Sequence, residues 1–316
     1  MISGKMSGSS MHLPPPPPPP PPASPAPPWS TDNNSKKKKL YQTIGLSRSP
    51  IVGDNTEPLM LIRQRENSFS ADLHWILMNT YVPSLIQDGP QCGLVALCTA
   101  AHLLRHGAVD LDAVVQTARS RGFTVQGEMF SACNMALLAE EVCGCKAELL
   151  SGGLSGNASR IIAHLWARQP VLIPYDEDYN HEPCQRGGHR AHWAVASGVL
   201  IGVRPGSVSS EQTRPDPTLP WIHLHGDSSS SCCPAVGSWS LRDVYILAKQ
   251  GKSLRYQLWG WDSVARSNEQ LKAMDPQRSS DGTTYVVPEG GVEAGLAGQA
   301  VLLHTRTPSE EAQRTI

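Results

Sequence analysis

No stretch of this 316-residue chain is apolar over the ~20 residues that a membrane-spanning helix needs; the longest apolar runs, such as residues 198–203, fall far short. An excess of charge of either sign is also missing. Lysine and arginine number 27 against 28 aspartate and glutamate, a formal net charge of −1, so no global field draws the chain to nucleic acid or an acidic membrane. Residues 1–13 lack the apolar core, roughly 7 to 15 residues long, of a secretory signal. The expectation is a cytosolic protein. Reductants there keep thiols free, so the eight cysteines read as free thiols, metal ligands or a nucleophile rather than as a disulfide framework. Internal repeats are absent, and at ~100 to 200 residues per domain the length allows one large domain or two small ones.

Proline is plentiful but unevenly spread, with 13 of 27 in the first 50 residues. Residues 1–50 are therefore read as a disordered tail, 70–306 as the globular domain and 307–316 as a short C-terminal tail. Residues 14–22 are an unbroken proline run, extended by Pro25, Pro27 and Pro28. Such a run lacks backbone donors and builds no packed core. Nine prolines at about 3.1 Å each make a stiff polyproline II rod of roughly 28 Å, preformed for an aromatic groove of the SH3, WW, EVH1 or profilin kind. The lysines at 36–39 read as a solvated basic patch.

From about Leu73 the pattern becomes globular. Residues 92–106 place Val95, Leu97, Cys98, Ala101 and Leu104 at near-helical spacing between Pro90 and Gly107, which predicts a buried helix. Start and stop signals predict three more, over 111–119 behind Asp110, 131–142 before Gly144, and 159–167 behind Asn157. After Pro170 the chain turns to short β-rich runs at 171–175, 192–202, 221–224, 244–248, 254–261, 284–287 and 300–304. Helices followed by strands predict an α+β fold with a mostly antiparallel sheet. Residues 204–219 and 227–238 read as surface loops.

The segment from Gln87 to Cys92 carries the chemistry. It sets a cysteine at the first turn of a buried helix, where amides and dipole present about half a positive charge and favour thiolate over thiol. Gly93 removes bulk beside that sulfur, and Gln87 is placed to aim an amide N–H at a developing oxyanion. The competing reading is that Cys92 is simply a small buried apolar residue. Against it stands His192, which opens a strand 192 − 92 = 100 residues later and supplies a base. Trp193 beside it is the best candidate for a cleft wall.

Gln91-Cys92-Gly93-Leu94, with Gln87 upstream and His192-Trp193-Ala194-Val195 downstream, resembles the C39-like branch of the papain-like cysteine peptidases. The likeness covers roughly residues 87–202. The proline-rich head, Gln250-Gly-Lys-Ser253 and Thr284-Tyr-Val-Val-Pro288 give a layout similar to the actin-processing members of that branch. The resemblance implies a papain-like fold without a cofactor. It also implies a monomeric cytosolic aminopeptidase that removes the acetylated terminal residue of immature actin, with the head binding profilin. Cys92 would be nucleophile, His192 base and Gln87 oxyanion donor. The group orienting the imidazole stays open among Asp262, Asp227 and Gln250, since the Asp-Pro usual after the histidine strand is missing.

Three rival readings remain. His181, Cys184, His189 and His192 are four possible zinc ligands within twelve residues, though such use of His192 would remove the base. A silent domain whose proline rod tethers partners is the second. A hydrolase acting on a different acyl or isopeptide bond is the third, since the same three groups would serve it.

Overall fold

The computed structural model describes residues 54–104, 107–207, 213–226, 233 and 239–306. The proline and lysine runs, Asp227 and residues 307–316 lie outside them. The packed chain begins upstream of Leu73. Helix α1, Thr56–Gln64, buries Ile62, and its Glu57 accepts the backbone N–H of Tyr256 at 2.8 Å. Strand β1, His74–Asn79, leads to α2, Cys92–Ala101, in which every residue is buried. The predicted run to 106 is cut short because Leu103 and Leu104 bond back three residues, to Ala100 and Ala101, closing the helix in tighter turns. Helix α3, Leu111–Ser120, starts on Asp110, whose carboxylate accepts the Ala113 N–H at 3.0 Å. Helix α4, Ala132–Cys143, starts on Ser131 and stops at Gly144 with φ 62°, the left-handed turn that glycine adopts cheaply.

Strand β2, Lys146–Leu150, and helix α5, Ala158–Trp166, precede β3, Val171–Asp176, β4, Ala191–Val203, and β5, Thr213–Pro215. Strands β6, Ile222–His225, β7, Trp239–Gln250, and β8, Gln257–Gly260, follow. Helix α6, Trp261–Glu269, two short helices, α7, Pro276–Ser280, and α8, Gly291–Leu296, and β9, Ala300–His304, close the chain. The apolar run 254–261 was expected as one strand and instead divides, with α6 starting at Trp261. Residues 284–287 form no strand: the Val286 N–H goes to the buried carboxylate of Glu128 at 2.8 Å rather than to a neighbouring strand.

The elements make an α+β fold around one nine-stranded sheet, antiparallel apart from the β1–β6 pair. Strand β4 is its spine. β7 runs along one edge of it, while β3 and β1 lie end to end along the other, against 191–196 and 198–203. Both faces are covered. Trp193, Val195 and Leu200 pack with Leu94 and Leu97 of α2 and Met135 and Leu138 of α4. Ala194, Ala196, Val199 and Ile201 pack with Ile161 and Leu165 of α5 and Trp261 and Val264 of α6. The in-out alternation changes phase between Ala196 and Val199, where the register with β7 slips at a bulge. The arrangement leaves the first residues of β4 beside the first turn of α2.

Candidate active site

Pro90 and Gly89, the latter at φ +55°, turn the chain into α2 so that Cys92 becomes its first residue. A Cβ on Gly93 would lie 2.8 Å from Met135 Cε and 3.0 Å from Trp193 Cδ1, so only glycine lets α2 approach α4 and β4 this closely. Trp193 is fixed in turn by its indole N–H, which donates to the Met129 carbonyl at 2.8 Å. Cys92 and His192 both open into a cavity of about 380 Å³, whose walls include Gln87, Trp193, Lys252 and Arg278.

Cys92 is only 9 % exposed. Burial pushes its thiol up, outweighing the N–H groups of Trp193 and Gly93 and the charges of Lys252 and Arg278, which all pull the other way. The expectation of a resting thiolate is therefore corrected, because desolvation exceeds the helix-start effect. His192 is pushed down to about 4, again chiefly by burial, with Lys252 also lowering it and Glu177 and Gln250 raising it. At neutral pH the resting pair is thiol and neutral imidazole.

The His192 tautomer is set by its neighbours. Nε2 lies 3.0 Å from Gln250 Oε1, and the Lys252 backbone N–H donates to that same oxygen at 2.7 Å. A backbone N–H only donates, so the Gln250 oxygen is an acceptor and Nε2 carries the hydrogen. Nδ1 then holds the lone pair. Of the three groups left open by sequence, Gln250 is the one bonded to the ring; Asp262 lies exposed in the first turn of α6, and Asp227 is outside the described residues.

Gln87 is tied to the β7–β8 turn by its backbone N–H, which donates to the Gly251 carbonyl at 2.8 Å. Its side chain lines the cavity and donates one amide hydrogen to the Gly89 carbonyl at 2.7 Å. The other hydrogen is left for a further acceptor. The zinc candidates take different partners: His181 bonds Glu177 at 2.6 Å, His192 bonds Gln250, and His189 lines the cavity. Burial pushes the Cys184 thiol up to about 11. Among the described residues, no group of three or more His, Cys, Asp or Glu side chains is placed to hold a metal.

Sequence reasoning missed the loop that carries the chain from β3 to His192. The fully buried Asp176 carboxylate accepts the backbone N–H groups of Arg186, Gly188 and Arg190 at 2.6, 3.0 and 3.1 Å, and Gln270 Nε2 at 2.9 Å. Glu177, equally buried, meets Lys252, Arg190 and His181. The available signal was three consecutive acids, Asp176 to Asp178, directly after an apolar strand.

A sequence profile for the actin maturation protease-like C-terminal domain matches residues 82–200, a span containing both Cys92 and His192. The chain is 59% identical over 271 residues to the actin maturation protease of Danio rerio, covering 85% of this chain and 87% of that protein. It is 53% identical to the Xenopus tropicalis protein of that name, covering 85% and 86%. The Homo sapiens protein of that name is 50% identical, covering 80% and 73%. Among solved structures, a C39-like peptidase from Bacillus anthracis overlaps 72% of this chain and 96% of its own, at 12% identity and a TM-score of 0.38.

Proposed function

Since the chain belongs to the actin maturation protease family, we propose that this cysteine peptidase removes the acetylated N-terminal residue of immature actin, with Cys92 as nucleophile, His192 as base and Gln87 as oxyanion donor. The observation that carries the reading is the His192 tautomer: with Nε2–H committed to Gln250 at 3.0 Å, Nδ1 keeps the lone pair, and His192 lines the same cavity as Cys92. His192 Nδ1 takes the proton from Sγ as the sulfur attacks the carbonyl of the acetylated residue. The carbonyl oxygen becomes an oxyanion held by the Cys92 backbone N–H and the second amide hydrogen of Gln87. The imidazolium then gives its proton to the departing amine, which becomes the new N-terminus of actin, and water hydrolyses the thioester. Because the thiol is neutral at rest, His192 takes its proton before or during the attack.

Gln87→Ala lowers turnover of an acetylated peptide by about 100- to 1,000-fold, the range for loss of one oxyanion donor, while the melting temperature stays within a few degrees. Steady-state kinetics checks this, and unchanged turnover removes Gln87 from the site.

We also assign the proline run at 14–22 to recruitment of profilin-bound actin, in the cytosol, by a monomeric enzyme. A segment that holds the carrier raises the local substrate concentration without any new contact at the active site. Deleting residues 1–40 then leaves cleavage of a short acetylated peptide unchanged and slows processing of actin presented with profilin, by about tenfold or more. Equal loss on both substrates contradicts tethering.

A further inference from the structure

We propose that Glu177 is a positioning residue for the base: its buried carboxylate stands behind His192 and stabilises the imidazolium that forms when Nδ1 takes the Cys92 proton. The inference rests on the assignment of His192 as base. In the β3–β4 register Tyr175 faces His192 and Asp176 faces Ala191, and the Glu177 N–H continues the ladder to the Arg190 carbonyl at 3.2 Å. Residues two apart on a strand share a face, so Glu177 lies diagonal to His192, within reach of its charge. Its side chain is 0% exposed.

A lone carboxylate buried there would take up a proton. Three cationic or hydrogen-donating groups keep it ionised: His181 Nδ1 at 2.6 Å, the Lys252 ammonium, and Arg190 at 3.5 Å. Burial pushes Glu177 up, but attraction to the charged form of His192 and the hydrogen bonds from Lys252 and His181 outweigh it and hold the carboxyl below its ordinary value. The groups around the ring are Tyr175 from β3, Glu177 and His181 from the following loop, Gln250 and Lys252 from the end of β7, and Cys92 from α2. Burial keeps the Tyr175 hydroxyl protonated. Among these, Glu177 supplies the negative charge, and Lys252 partly offsets it at the ring.

The test uses the full chain and an acetylated peptide across a pH series. Glu177→Gln lowers kcat at neutral pH by about tenfold or more with KM little changed, whereas Glu177→Asp keeps most of it. Lys252→Met leaves the carboxylate less neutralised, so the acid limb of kcat, where His192 protonates, moves to higher pH. In the Glu177→Gln, Lys252→Met double variant that limb returns toward its wild-type position. A purely structural Glu177 predicts that Glu177→Gln leaves the limb unmoved, in the wild-type and the Lys252→Met background alike, and that result, or unchanged kcat in Glu177→Gln, overturns the proposal. If Glu177→Gln alone fails to fold, the Lys252→Met limb is compared with that of the double variant, and coincidence of the two overturns the proposal. A His192→Gln protein with wild-type turnover would instead overturn the base assignment underneath it.

Discussion

Cys92→Ala cleaves an acetylated peptide about 10⁴- to 10⁶-fold more slowly than wild type, the loss seen when a covalent nucleophile is removed from a working constellation. The fold survives the change. Burial keeps the sulfur as a neutral thiol at rest, so its removal strands no buried charge, and trimming one small group at the cavity wall costs only about 1 kcal/mol. Single-turnover kinetics beside a thermal melt separates the two effects. Retained cleavage by folded Cys92→Ala would place the nucleophile elsewhere.

The second large effect is on stability. At the β4 bulge, Gly198 faces its cross-strand partner Asn79, and a Cβ there would sit 2.5 Å from the Met78 carbonyl oxygen, 2.6 Å from Asn79 Oδ1 and 2.7 Å from Asn79 Cα. Two of those atoms belong to the backbone and cannot turn aside. Gly198→Ala must push β1 away from β4, at a cost of about 3 kcal/mol, the upper end for overpacking. For a domain of this size that lowers the melting temperature by about 6 to 12 °C, which calorimetry reads directly. Activity declines with it, since β4 also carries His192. An unchanged melt would show that the β1–β4 approach is looser than described.

That Cys92, His192 and Gln87 would share one cavity was legible because Cys92 and His192 sit on elements whose starts the sequence announces and Gln87 lies in the loop feeding the first of them. Pro90 and the apolar spacing mark the head of α2, and the run after Ala191 marks β4. Gln250 was legible only as one of three, because which strand lies beside His192 is a matter of sheet order, and β4 pairs on both edges. Glu177 and Lys252 were not legible. Their meeting depends on the loop folded around the Asp176 carboxylate and on the β7–β8 turn, neither of which has a periodic signal. The helix start that favours thiolate is visible in the sequence, while the burial that pushes the Cys92 thiol up comes from a core assembled from segments distant in the chain. The split of 254–261 followed the same pattern: Leu258 and Trp259 read as strand, but Trp261 is drawn across the sheet face as the first residue of α6.

The most direct test of the account is intact-mass spectrometry of acetylated actin incubated with profilin and either the wild-type chain or folded Cys92→Ala. The account predicts loss of one acetylated terminal residue from actin with the wild-type chain alone. Actin of unchanged mass after incubation with folded wild-type protein, or equal trimming by both proteins, would contradict it.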